Sequence, residues 1–415
     1  MIDPRSRRAA AVIPLVLAGL SMLGPFSIDT PFPGFPQMRE EFGVGSETLQ
    51  LTVSAYLFAF GLMSIFHGPI SDALGRKPVM VGGVAAYGLA SLGAALAPTI
   101  EVLVGFRLLQ GLFAGGGVIV SRTIIRDLYA GAEAQRLMSR VAMIFGIAPA
   151  VAPIVGGLIL QIGPWEWIFY FQTLMALVLV AAVQWVLPET HPPARRTRLA
   201  VRALLGSLWQ VCRSGRYQRV AWAACLSQAA WFTYVGGAAI IVVDLLGRTE
   251  LDFWMLFGPL VAGMTVGSWL SGRAAGRISG LALVRAGYVV MLGAAVFNVV
   301  LTSRPGPPTV ALTVIGPGLM GVGQSMLFPT TQLALLDIFP RARGAAASGA
   351  TFLGLTLSAA VSAVLPSYAT STRNIAIGSL VLVLASGVLW GWHFLTTRAT
   401  LMAAEHPEEF DPPPA

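Results

Sequence analysis

Residues 49 to 97 read LQLTVSAYLFAFGLMSIFHGPISDALGRKPVMVGGVAAYGLASLGAALA. Two apolar runs, 49 to 68 and 79 to 97, flank a short turn that holds Asp72, Arg76 and Lys77. Each run is about twenty residues long, enough to cross a hydrocarbon core of ~30 Å as a helix. Charges confined to the connection, with none in either run, describe a helical pair that crosses a membrane and returns.

The same pattern recurs along the whole chain. Further runs lie at 11 to 31, 101 to 121, 141 to 162 and 166 to 187, then at 219 to 244, 253 to 272, 281 to 302, 309 to 333, 344 to 368 and 373 to 396. Of 415 residues, 55% are hydrophobic and 11% charged, and the mean hydropathy is +0.73. Soluble domains carry roughly 25% charged residues, so this surface is made for lipid. Inside lipid every backbone group needs an internal partner, and runs of this length satisfy that as helices rather than barrel strands. The expected fold is an all-α membrane protein of twelve transmembrane helices.

Basic residues mark the cytoplasmic side of short loops. With the N-terminus inside, the inner segments hold 22 of the 27 basic residues, among them Arg5, Arg7, Arg8, Arg76, Lys77, Arg136, Arg140, Arg198 and Arg398. Arg39, Arg248, Arg304 and Arg373 fall outside, and Arg107 lies within a span. Losing one span would invert every later loop, so both termini are expected in the cytoplasm of a multi-pass inner-membrane protein. The net charge of +8 is spread over inner loops, not gathered in a basic domain, which argues against nucleic-acid binding. Cys212 and Cys225 imply no disulfide framework. The first run ends in Asp29 and prolines without a small-x-small cleavage site and reads as an uncleaved span.

Pro188, Pro192, Pro193 and an arginine cluster interrupt the rhythm. They divide the chain into a six-helix bundle over 1–187, a cytoplasmic basic linker over 188–218, a second bundle over 219–396 and a disordered tail over 397–415. Gly75-Arg76 after the second span finds an echo in Gly276-Arg277 after the eighth. Parallel repeats of this kind place a substrate cavity between two pseudo-symmetric halves, which rock to give alternating access.

The turn at 68 to 80, Gly-Pro-Ile-Ser-Asp-Ala-Leu-Gly-Arg-Lys-Pro-Val-Met, resembles the signature loop of the major facilitator superfamily. Gly75 permits a tight turn, Gly68 is expected to let helices approach, and Asp72, Arg76 and Lys77 can form a charged latch. Arg107-Leu-Leu-Gln-Gly111 resembles the family's second motif, which implies a proton-coupling role for Arg107; the alternative is that it snorkels toward the outer surface near Glu101. Pro149, Pro153, Gly156 and Gly157 resemble the antiporter motif of the fifth helix, a bending or sealing element, with Ala152 and Ala148 standing where the motif has glycine.

Ser27-Ile-Asp29-Thr-Pro-Phe-Pro-Gly-Phe-Pro, Arg126-Asp-Leu-Tyr129, Leu336-Asp-Ile-Phe-Pro340 and the run Gly344 to Gly349 are similar to the bicyclomycin and chloramphenicol resistance branch of drug:proton antiporters. Pro31 replaces that branch's usual aromatic, and Ser21 stands where some multidrug relatives carry a further acid, which speaks against cationic drugs. The resemblance implies efflux of small amphipathic drugs, with Asp29 taking the proton and Arg107 opposing it, because a carboxylate whose solvation and partners change with access can load and release a proton. The alternative for Asp29 is a solvated cap on the first helix. Candidate substrate contacts are Tyr56, Gln110, Gln228, Trp231, Tyr234, Asn298 and Gln324, whereas Asp244 and Asp337 read as interfacial structure.

No phosphate-cradling loop for ATP, no His-Glu-x-x-His and no Gly-x-Ser-x-Gly is present, and the four histidines are scattered singly. No metal or cofactor is expected, and the partners are protons, a small-molecule substrate and lipid around a monomer. A proton-coupled carrier of a specific metabolite shares the same machinery. A membrane sensor or enzyme is the third reading, and the sequence offers it neither an added soluble domain nor a catalytic motif.

Overall fold

The computed structural model describes residues 7–129, 131–197, 199–274 and 277–405. Arg5, Arg198, Gly276 and the tail from 406 to 415 lie outside the described residues, as do the side chains of Arg7, Arg8, Arg136, Arg140 and Arg398. Each expected run is a helix: α1 Arg7–Asp29, α2 Ser46–Leu74, α3 Arg76–Ala95, α4 Ile100–Leu128, α5 Gly131–Leu160 and α6 Glu166–Val186 in the first half. The second half holds α7 Gly215–Gly236, α8 Trp254–Ala274, α9 Gly280–Thr302, α10 Val310–Ile338, α11 Arg343–Tyr368 and α12 Thr372–Glu405.

Among the described residues, ten helices are long and apolar enough to cross a bilayer, and α5 adds the apolar stretch Gly146–Leu160. α7 begins with the exposed Arg216 and the half-buried Gln218 and Arg219, and is mostly buried beyond them. Beyond Gly237 its span continues as a π-helical turn, Ile240–Leu245, where continuous α-helix was expected. α12 runs on to Glu405, into the stretch expected to be a disordered tail. Ser214, Ser279 and Thr309 cap α7, α9 and α10 by accepting a hydrogen bond from a backbone N–H of the first turn.

The packing repeats with a period of six helices. In the first half α4 packs on α1, α2 and α3, α6 on α1 and α3, and α5 on α1; in the second, α10 packs on α7, α8 and α9, α12 on α7 and α9, and α11 on α7. The halves meet along α2–α11 and α5–α8, which are themselves a symmetric pair. Those two seams form the flanks, so α1, α4, α7 and α10 face one another between them.

Equivalent helix pairs share the same device for close approach. A Cβ on Gly111 of α4 would stand 2.2 Å from the Tyr56 carbonyl oxygen of α2, and one on Gly263 of α8 would stand 1.8 Å from the Gly318 carbonyl oxygen of α10. Neither backbone can yield, so glycine is required. Gly263→Ala is expected to cost ~1–3 kcal/mol from overpacking and to lower the thermal midpoint in detergent. Gly258→Ala on the same helix meets nothing within 4 Å and is expected to be neutral or slightly stabilising; equal midpoints for the two variants would refute the close-packing account.

Candidate functional site

Arg107 sits on α4 with 1% of its surface exposed, turned into the bundle rather than snorkelling to the surface. Its Nε donates to the Thr52 carbonyl at 3.2 Å, a terminal nitrogen donates to Gln110 Oε1 at 2.7 Å, and the guanidinium lies 4.6 Å from the Tyr56 ring centre. Gln110 Nε2 passes the network on to Ser91 at 2.7 Å and Gln172 Oε1 at 2.9 Å. Tyr87 donates to Gln172 and shares a 2.5 Å hydrogen bond with Ser27, and Gln172 Nε2 donates to the Phe26 carbonyl. Five of the first half's helices thus share one buried polar network. Its partners to the guanidinium are all neutral.

Asp29 closes α1 with 2% exposure, and the buried turn Phe32–Gly34 and the helix Phe35–Phe42 follow it in the chain. It is not the solvated cap of the alternative reading. Its Oδ1 has no hydrogen-bond partner, and among the described residues no ion pair joins it to Arg107. The opposition of acid and arginine expected from the sequence is therefore not a contact in this arrangement.

The α5 glycines lie beside Asp29. A Cβ on Gly156 would stand 2.2 Å from the Thr30 carbonyl oxygen, and one on Gly157 would stand 2.6 Å from the Glu250 carbonyl oxygen of the second half. Pro153 is buried and Pro149 half-buried on the same helix, and Ala148 and Ala152 pack with Phe26. The motif presses one side against the residue after Asp29 and the other against the opposite half. The end of the molecule where this happens carries further links between the halves. Arg39 pairs with Asp244 at 2.7 Å, and Gln50 Nε2 donates at 2.7 Å to both the Gly236 carbonyl and Ser362. Asp244, read from the sequence as interfacial structure, thus ties one half to the other.

On the facing helices of the second half, Gln324 Nε2 donates to Gln228 Oε1 at 2.8 Å and Asn298 Nδ2 to the Tyr234 hydroxyl at 2.7 Å. Gln228 and Trp231 are one turn apart on α7, opposite Gly321 and Gln324 on α10, and a Cβ on Gly321 would lie 3.4 Å from Trp231 Nε1. Trp231 Nε1, Gln324 Oε1 and Asn298 Oδ1 are buried without a partner. Unpaired buried polar atoms are costly and uncommon, and the two at the α7–α10 crossing, Trp231 Nε1 and Gln324 Oε1, call for a ligand or water. The seven candidate contacts thus divide, Tyr56 and Gln110 serving the arginine network, Gln228, Trp231 and Gln324 meeting at the α7–α10 crossing, and Tyr234 and Asn298 forming a separate pair between α7 and α9.

The charged turn is held by ion pairs and hydrogen bonds to partners the sequence did not reveal. Gly75 has φ +103°, a backbone that side chains rarely adopt. Arg76 pairs with Asp72 and with Asp127 of α4 at 3.3 Å, and donates to Ser71 at 2.6 Å. Glu189 of the linker accepts from the backbone N–H groups of Arg76 and Lys77 at 3.1 and 3.3 Å, and so holds a carboxylate at the positive end of α3. Lys77 Nζ donates to the Gln184 carbonyl, and Thr197 N donates to the Asp72 carbonyl. Gly68 departs from expectation: a Cβ there meets nothing within 4 Å, so it allows no close helix approach. Asp127 belongs to the Arg126–Tyr129 motif, which by itself gives it no role, and Gln172 shows in the sequence only as one amide in an apolar run.

A family model described as Major Facilitator Superfamily matches residues 17–316. Multidrug resistance protein D of Escherichia coli K12 is 27% identical over 401 residues, 95% of this chain and 98% of that protein. A chloramphenicol resistance protein of Pseudomonas aeruginosa is 28% identical over 297 residues, 70% of this chain and 68% of that protein. Among solved structures, a bacterial homologue of the human lysosomal transporter Spinster superposes with a TM-score of 0.71 at 14% identity, over 95% of this chain and 98% of the other. The repeat of six helices, the charged turn and these likenesses agree: the chain is a multi-pass transporter of the major facilitator superfamily, with its sequence relatives in the bicyclomycin and chloramphenicol resistance branch.

Proposed function

We propose that this protein exports small amphipathic, uncharged compounds across the inner membrane in exchange for protons, by alternating access between its two halves. The observation that carries the reading is Asp29, a buried carboxyl group with one oxygen unpartnered, beside the seam that α5 makes with the second half. An ionised carboxylate left unpaired in apolar surroundings is costly, so Asp29 holds a proton while this end is shut. Opening of the seam returns it to water, and the cycle of hydration is what couples proton movement to the rocking of the halves. Arg107, held only by neutral groups, keeps a fixed positive charge in the same half and is left without a carboxylate of its own.

The bias of basic residues toward the linker end supports a cytoplasmic linker and two cytoplasmic termini. On that orientation the Arg39–Asp244, Gln50 and Gly157 contacts close the outer end, and a substrate path between α1, α4, α7 and α10 would open from the cytoplasm. The second-half cluster supports recognition of a neutral ligand: an indole donor and amide acceptors await partners, and among the described residues that half buries no carboxylate or arginine near the cluster. One chain supplies both halves of the pathway, which supports a monomer.

The leading test is pH change inside acid-loaded proteoliposomes as a panel of neutral and cationic drugs is added. Drug-triggered proton movement is expected for the wild type and not for Asp29→Asn; movement that survives in the variant moves the proton site elsewhere, and silence across the panel favours a carrier of one metabolite. Gln324→Leu removes an amide that meets ligand in this reading. It is expected to weaken apparent drug affinity by about 5–20-fold, on the scale of one or two hydrogen bonds, while leaving Asp29-dependent proton exchange intact; unchanged affinity would take the α7–α10 crossing out of the substrate path.

A further inference from the structure

From residue 190 to residue 219 the chain holds seven arginines and no carboxylate. Within this stretch Val201–Cys212 is a helix that lies against α11. Leu208 and Val211 are buried and Leu204 half-buried on the packed side. The Leu208 side chain comes within 3.7 Å of where a Cβ on Gly349 would be, and Tyr217 donates to the Ala346 carbonyl at 2.7 Å. Gly349 is about two turns, or ~9 Å, inside the end of α11 that begins at Arg343. The linker helix therefore packs beside the bundle near the end of α11 that begins at Arg343.

The protein covers only part of the helix's apolar surface. Val201, Leu205 and Trp209 recur every fourth residue and are 41, 50 and 66% exposed. At ~100° per residue they form a stripe adjoining the packed face, and Arg202 and Arg213, both exposed, lie along the stripe's far edge from that face. Three arginine–aromatic pairs stand at the same end of the second half: Arg219 over Trp392 at 5.2 Å, Arg273 over Trp269 at 5.4 Å and Arg285 over Phe394 at 4.6 Å. Trp392 and Trp269 are more than half exposed, as is usual for rings at a membrane interface. A wide apolar arc edged by cations, with acids absent, matches an interfacial helix on an anionic surface.

We propose that Val201–Cys212 is a lipid-docking element, with Val201, Leu205 and Trp209 set into the acyl boundary and Arg202 and Arg213 on the phosphates of anionic phospholipids. The segment before it is bonded to the first half through Glu189 and Thr197, and the helix itself packs on the second half. Lipid therefore holds the one connection between the halves at a fixed depth. The proposal stands apart from the transport reading, since it concerns neither Asp29 nor the cavity.

Cys212 is exposed on the edge of the stripe and Cys225 is buried, so a nitroxide can be placed on the native Cys212 of the full chain carrying Cys225→Ser. The labelled protein is studied in nanodiscs of phosphatidylcholine with and without phosphatidylglycerol. The expected result is that oxygen relaxes the label far more than a water-soluble nickel chelate does, and that label mobility falls as phosphatidylglycerol is added. Neutralising Arg202 or Arg213 to Gln should weaken the response to anionic lipid about fivefold each. A label as open to the chelate as one on the exposed Ser303 would overturn the proposal. So would a mobility change reproduced by soluble glycerol phosphate, which points to a phosphate site, or spin–spin broadening that disappears on dilution, which points to a second copy. Bromolipid quenching of tryptophan emission, compared between wild type and Trp209→Phe, probes the same docking without a label: loss of the most quenched component is expected, and unchanged quenching refutes docking.

Discussion

A guanidinium buried in the membrane interior constrains the whole first half. Arg107 has five donors and no water to give them to, so the chain supplies a carbonyl from α2, an amide from its own helix and an aromatic face. Each of those partners must then be held, and Gln110, Ser91, Gln172, Tyr87 and Ser27 carry the obligation from helix to helix. Half-satisfied polar networks are worse than none in a low dielectric. The relative rotation of α1, α2, α3, α4 and α6 is therefore set by hydrogen bonds as much as by packing.

The second half has the same helix order and, among the described residues, no such buried charge. Its equivalent contacts rely on glycine against backbone carbonyl, as at Gly263 and Gly318, and on amides that bond one another with acceptors to spare. Symmetry of packing with asymmetry of chemistry is what one expects when two repeats share a scaffold and take different duties. A rigid ionised network suits proton handling, while a surface of unpaired neutral donors and acceptors suits a ligand that arrives and leaves.

The sequence made the spans legible because apolar length and loop charge are local properties, and so all twelve helices and the turn at Gly75 could be read directly. It did not reveal Glu189 as the partner of the α3 terminus, since a carboxylate more than a hundred residues away can be matched to a helix end only by folding. Gln172 and Gln50 were single polar letters in apolar surroundings, which mark a buried contact without naming it. Gly68 misled for the opposite reason: a small residue inside a motif suggests close packing, yet the helix face it occupies meets open space. The π-helical turn after Gly237 and the burial of Asp29 likewise depend on tertiary context.

Alternating access requires two arrangements of comparable free energy, because a bias of ~5.5 kcal/mol is what it takes to swing a population from about 1:99 to 99:1. The contacts that shut the outer end on this reading are suited to that limit. Arg39 and Asp244 are about 30% exposed and paired through two nitrogens, and an ion pair in such surroundings contributes on the order of 0–1 kcal/mol. Gln50 exchanges hydrogen bonds that water can replace once the seam opens. Only the glycine contact of α5 is dry and close, and it resists compression rather than binding tightly. A seal made of shape and a few exchangeable polar bonds suits an end of the molecule that has to open and close with little difference in free energy.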